Sequence, residues 1–395
     1  MENQSQATPL PNEENPSTGP RPEHGGMMKF LTQVFLGPNG LRAGWTIFLF
    51  LVFSAIFAFA LGALFSALHL VGKERSFTPV SMIFGLLTSV LPIAASAWIL
   101  AKINRHRFDA YNLAGPSRVR RFLFGLLSGF AAVSSMIGIL YAGGFLHFGP
   151  VALSGMEIFK YAALWGIGFI LVGFNEEGMF RCFLQFVFTR ALNFFTAILA
   201  FVIFYLLFAT IISLTTLVKM HSMAAVGNAL HQWAFGDPMI GVYLLFGLGF
   251  VPSIMLHLRK SASPGFWYAA WIGSTLFGMV HTGNGGENWI GIFSAGAIGY
   301  IFCVSVYLTG SVWWAIGFHA AWDWGLTYFY GAADSGNPAA GHFLSVNPVG
   351  NAILSGGADG PEGSILIIPL LIVLLLLLNW IYKGQQPASG TAPAA

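Results

Sequence analysis

The chain has 395 residues, 56% of them hydrophobic and only 8% charged, and a net charge of +3. A soluble globular domain carries about 25% charged residues, so the composition excludes that class. Repeated apolar stretches of 18 or more residues specify an all-α polytopic membrane bundle, and the short alternating segments of a β-barrel are absent.

Residues 1–26 hold five Pro and four Glu and have no apolar core, so they read as a disordered tail without a cleavable signal. The tail is expected to extend over residues 1–42 on the cytoplasmic side. Ten apolar runs follow: Ala43–Leu70, Thr78–Ile103, Phe122–Leu146, Ile158 to about Thr189, Ala191–Leu217, Met239–His257, Phe266–His281, Trp289–Leu308, Ser311–Tyr330 and Ser364–Tyr382. The third run carries Gly125 and Gly129, spaced for a close helix contact. The fourth is long for one straight span and is expected to tilt, kink or split near Gly173–Asn175. Residues 331–363 form a loop with three acidic residues and no Lys or Arg, and residues 383–395 a second disordered tail. Its segment Ser355–Gly363 is turn-rich and reads as a plain connection or a lid.

Threading ten spans with the amino terminus inside places thirteen Lys and Arg inside and four outside, with Arg181 left in the membrane. That split puts both termini in the cytoplasm. Cys182 and Cys303 both lie in apolar runs, so neither a disulfide framework nor a metal-binding Cys motif is implied. The scattered charge gives no support for a nucleic-acid partner, and membrane lipids are the partners the composition requires.

Three charges interrupt the fourth run, at Glu176, Glu177 and Arg181. A charge at membrane depth costs roughly 2.5–3.5 kcal/mol, so three together call for a function. On a helix Glu177 and Arg181 share a face and can pair. Glu176 lies about 100° away round the helix and has no helical partner, which suits a general base. The bland alternative is a helix break at the membrane surface with the charges in water. His281 ends the seventh run with Phe277 one turn before it, and His319 lies within the ninth with Asp323 one turn after it. An aspartate at that spacing can fix one imidazole nitrogen and leave the other free.

Glu-Glu-x-x-x-Arg, Phe-x-x-x-His and His-x-x-x-Asp, in this order on separate spans, resemble the CPBP family of intramembrane proteases. That family includes type II CAAX prenyl proteases and bacteriocin-processing or self-immunity (Abi) proteins. The resemblance runs from Glu176 to Asp323. Two departures stand out: about 95 residues separate the first two motifs, and position 323 is aspartate rather than asparagine. The resemblance implies residues 158–330 as a protease-like core; hydropathy and charge make residues 43–157 accessory helices, 331–363 an extracytoplasmic loop and 364–382 a final helix. It implies a membrane endopeptidase in which Glu176 activates water, and His281 and His319 hold that water or the oxyanion. Asp323 would orient His319, and Arg181 would brace Glu177. The substrate would be a membrane-associated peptide or protein, lipidated or not. A divalent metal such as zinc and a metal-free mechanism both suit this set of residues, although a His-Glu-x-x-His motif is absent. The short tail and lack of organelle signals point to a bacterial plasma membrane. A transporter would also place such residues at the midplane, but no internal repeat is seen. A non-catalytic immunity or scaffold protein is the third reading.

Overall fold

The computed structural model describes residues 26–37, 40–70, 78–260, 264–337 and 340–383. The tail before residue 26, Lys73 and Arg75, and the tail after residue 383 lie outside the described residues.

Fourteen α-helices, with short 3-10 and π segments and two small two-stranded antiparallel sheets, make up the described chain. Helix α1 (Gly26–Phe35) and a hairpin of β1 (Leu36–Gly37) and β2 (Gly40–Leu41) precede the first long helix. The tail expected over residues 1–42 is therefore structured from Gly26 onward. The cause is local: the Phe35 ring lies 4.5 Å from Trp45, whose Nε1 donates to the Val34 carbonyl. These contacts tie the segment to α2 (Ala43–Ala67).

The remaining long helices are α3 (Pro79–Ile103), α4 (Arg118–Ala142), α5 (Met156–Glu177), α6 (Gln185–Ala191), α7 (Phe194–Met220) and α9 (Asp237–Leu258). They continue as α10 (Pro264–His281), α11 (Trp289–Thr309), α12 (Trp313–Trp324) and α14 (Ile367–Ile381). Every predicted run overlaps one of these helices. Seven are long and apolar enough to cross a membrane, counting α5 and α6 as one 36-residue helix, so this is an integral membrane helix bundle. Large apolar side chains such as Phe59, Leu206, Leu248 and Leu376 are exposed on its outer faces, as lipid solvation requires.

Three boundaries differ from expectation. Helix α4 begins at Arg118 rather than Phe122, so Arg118, Arg120 and Arg121 occupy its first turn. A helix can start in the headgroup layer, where arginine is solvated, before its apolar run begins. The fourth span does not break at Gly173–Asn175. Its irregularity is a π-turn over Gly178–Leu184, directly after the two glutamates. A short helix, α8 (Met223–Phe235), fills what read as a loop, started by Ser222 Oγ accepting from the Ala225 amide.

The glycines set how α12 is held. A Cβ on Gly125 or Gly129 of α4 would collide with the Trp314 or Phe318 carbonyl of α12, and one on Gly173 of α5 would lie 2.9 Å from the Ile316 carbonyl. Helix α12 is thus gripped backbone to backbone on two sides, which small residues permit in a bilayer. Connections group at two ends. At one end β3 (Leu146–Phe148) pairs with β4 (Val346–Pro348), and the Asn288 amide donates to Asp359. At the other, Arg121 donates to Ser311 and the Val312 amide to the Asn112 carbonyl. The second end carries most of the Lys and Arg.

Candidate active site

Glu176 and Glu177 end α5, and Arg181 lies in the π-turn that follows. A π-turn widens the helix by one residue per turn and frees backbone groups, and such insertions cluster at functional sites. In this turn the Arg181 carbonyl accepts from Asn112 Nδ2 at 2.6 Å. Helix α12 ends in the same way: a π-turn over Gly325–Tyr330 begins two residues after Asp323.

Arg181 is buried, and Glu177 is 0% exposed. Arg181 Nε lies 3.2 Å from Glu177 Oε2, and its NH1 donates to Glu177 Oε1 at 3.4 Å. The guanidinium sits 4.1 Å above the Phe277 ring and 5.5 Å from the Phe302 ring. Gly299 makes room for it, since a Cβ there would overlap an Arg181 amino group. A buried carboxylate without a cation costs several kcal/mol, so the pair and its aromatic walls stand or fall together.

His319 is shared by three carboxylates. Its Nδ1 lies 2.9 Å from Glu177 Oε1, while Nε2 lies 3.8 Å from Glu176 Oε2 and 3.5 Å from Asp323 Oδ2. This departs from the expectation that Asp323 orients the ring. Glu177 orients it from across the helix interface, because Nδ1 faces α5 whereas the i+4 partner reaches only the outer nitrogen. An ionised Glu177 is acceptor only, so Nδ1 carries the proton it shares. The 3.5–3.8 Å gaps at Nε2 suit a bridging water better than a direct bond.

His281 is set differently. Its Nδ1 lies 2.7 Å from the Phe277 carbonyl, which can only accept, so Nδ1 is the donor and Nε2 is left free. Phe277 therefore holds His281 through its backbone and Arg181 through its ring. Glu176, Phe277, His281, His319 and Asp323 all line one cavity of about 290 Å³. Glu177 and Arg181 stand behind its wall.

The cavity has two kinds of lining. Met82, Leu86, Phe169, Ile298, Leu370 and Leu374 form an apolar wall, while Asn284, Asp334, Ser335, Asn337 and Glu362 join the predicted residues on the polar one. Among the described residues, no Lys or Arg lines it. Four of these added polar residues come from the 331–363 loop, which is packed against α12 rather than being a plain connection. Glu362 Oε1 accepts from Trp322 Nε1 at 2.7 Å, its Oε2 from the Ser335 amide at 2.9 Å, and Asp334 Oδ2 from Thr327 Oγ1 at 2.9 Å. The signal in the sequence is three acids in a loop without cations. Burial raises the Asp334 carboxyl well above its usual range, with Asp323 and Glu362 adding to the effect. Burial likewise lifts Glu287 to about 9 and Asp359 to about 7.

Among the described residues, no three His, Cys, Asp or Glu side chains form a group that could hold a metal ion. Glu177 is committed to Arg181 and His319 and is not free to act as a ligand.

A family model described as type II CAAX prenyl endopeptidase Rce1-like matches residues 245–325, about a fifth of the chain. The matched segment contains Phe277, His281, His319 and Asp323, and stops short of Glu176–Arg181. No curated protein and no solved structure matches the chain. Over α9 to α12, then, this membrane bundle is similar to that prenyl endopeptidase superfamily and is intramembrane-protease-like.

Proposed function

We propose that the protein is an intramembrane endopeptidase that hydrolyses peptide bonds with water activated by Glu176. The observation that carries this reading is the convergence of Glu176, His281, His319 and Asp323, from three separate helices, on one half-apolar cavity. In this reading Glu176 takes a proton from a water held between it, His319 Nε2 and Asp323. The water oxygen attacks the scissile carbonyl carbon. The proton then passes from Glu176 to the departing amine nitrogen as the C–N bond breaks, leaving an acid and an amine. Glu177, with Arg181 behind it, keeps the His319 ring turned so that Nε2 faces the reaction. His281, with Nδ1 committed to a backbone carbonyl, offers Nε2 to the water, and it can donate to the oxyanion only when protonated. No step is assigned to a metal.

The apolar wall suits a lipid-embedded or lipidated peptide, and the cation-free polar wall suits an internal peptide bond better than a free carboxylate. We place both termini and the basic end in the cytoplasm, residues 43–157 as accessory helices and 158–330 as the core, in a bacterial plasma membrane.

The test is Glu176→Gln in reconstituted vesicles bearing a membrane-tethered reporter peptide. General-base catalysis contributes about 10²–10⁴-fold, so cleavage should fall by at least that lower factor while the protein stays folded. Undiminished cleavage by the folded variant removes Glu176 from the mechanism. Substrate flux with no cleavage by the wild type would favour a carrier.

A further inference from the structure

A second cavity, of about 860 Å³, lies at the basic end between the start of α2, the end of α3 and α6. Arg42, Arg105, Arg190, His106 and Tyr111 line it, and no carboxylate does among the described residues. None of the three arginines makes an ion pair with a described carboxylate; such pairs occur at Arg107, Arg118 and Arg181. Arg42 spends its Nε on the Gln33 carbonyl, and Arg190 lies flat on the Phe186 ring at 3.4 Å. Both guanidinium edges still have donors to give.

Tyr111 is 1% exposed and packs into the cavity wall against the Phe183 and Phe186 rings, and His106 and Arg190 line the same cavity. The His106 ring meets Tyr111 edge-on at 4.9 Å, and its Nδ1 contacts the Arg107 carbonyl, leaving Nε2 free. The first turn of α2, a 25-residue helix, borders the cavity at Ala43 and brings unpaired amides and the positive end of its dipole.

We propose that this cavity binds a phosphate ester, with the headgroup of an anionic phospholipid or a soluble phosphate compound as its source. A tetrahedral dianion or monoanion offers several acceptor oxygens to these guanidiniums, none of which is neutralised by a described carboxylate. Basic pockets between membrane helices at the bilayer surface bind anionic headgroups in this way. Leu36, Leu41 and Ile103 complete the lining with apolar surface for an acyl chain. The inference is independent of the peptidase reading.

The experiment uses the full-length protein in nanodiscs and in detergent. Native mass spectrometry compares retention of phosphatidylglycerol with phosphatidylcholine, and thermal melting is followed with glycerol 3-phosphate and with inorganic phosphate. A preference of tenfold or more for phosphatidylglycerol identifies the lipid source, and stabilisation by the soluble compounds alone identifies the other. In either case Arg42→Gln with Arg190→Gln should reduce the effect at least fivefold. Arg107→Gln, outside the cavity and paired with Asp109, should not change it. The proposal is overturned if neither source shows a preference, or if the double variant binds as the wild type does.

Discussion

The Arg181–Glu177 pair offers the sharpest test of how the site is held. Replace Arg181 by Met, which keeps length and apolar volume. Glu177 is then left 0% exposed, with the His319 Nδ1 contact at 2.9 Å and no permanent cation. Stranding one member of a buried pair costs about 3–5 kcal/mol, and the loss of the Phe277 and Phe302 faces adds about 0.5–2 kcal/mol. The unfolding midpoint in detergent, read by tryptophan fluorescence or by the fraction surviving size-exclusion after heating, should drop by several degrees. Adding Glu177→Gln neutralises the stranded charge, and neutral replacements of buried pairs are often harmless. The double variant should therefore regain most of the lost stability. It should not regain cleavage, because an amide cannot hold His319 as a carboxylate does. A single variant as stable as the wild type, or a double variant as unstable as the single, would refute the argument that the pair is a unit of charge compensation.

Two further outcomes follow from the packing and the loop. Gly129→Ala drives a Cβ into the Phe318 carbonyl, one residue before His319; such overpacking costs about 1–3 kcal/mol, and the melting temperature should fall together with activity. Gly138→Ala, which meets nothing, is the control on the same helix. The second concerns pH. Glu287 and Asp359 have folded-state pKa values raised to about 9 and about 7 by burial. The folded state therefore keeps protons that the unfolded chain releases near pH 4, and stability declines as pH rises from there toward each folded value. Melting at pH 5, 7 and 9 should show that decline, and Glu287→Gln with Asp359→Asn should flatten it. A slope unchanged in the double variant would place the pH dependence elsewhere.

Hydropathy was enough to find every long helix, because a bilayer admits few alternatives to apolar helical runs. The charges at Glu176, Glu177, Arg181 and Asp323 were conspicuous for the same reason, as was the i+4 spacing that joins Glu177 to Arg181. Gly125 and Gly129 were legible as a contact surface, though not the helix they would meet. Contacts between distant segments were not legible. Which carboxylate meets Nδ1 of His319 depends on how α5 and α12 approach each other, and that is decided by Gly173 and Ile316 rather than by spacing along either helix. No apolar periodicity marks the π-turns at Gly178–Leu184 and Gly325–Tyr330. Glu362 and Asp334 lie in a Gly-rich stretch with no repeat, and only the bonds to Trp322 and Thr327 bring them to the cavity. The sequence alone thus determined the solvent, the helices and the charged groups. Tertiary structure decided which of those groups share a cavity and which nitrogen of each histidine faces it, because side-chain partners across helices are chosen by close packing, to which hydropathy is blind.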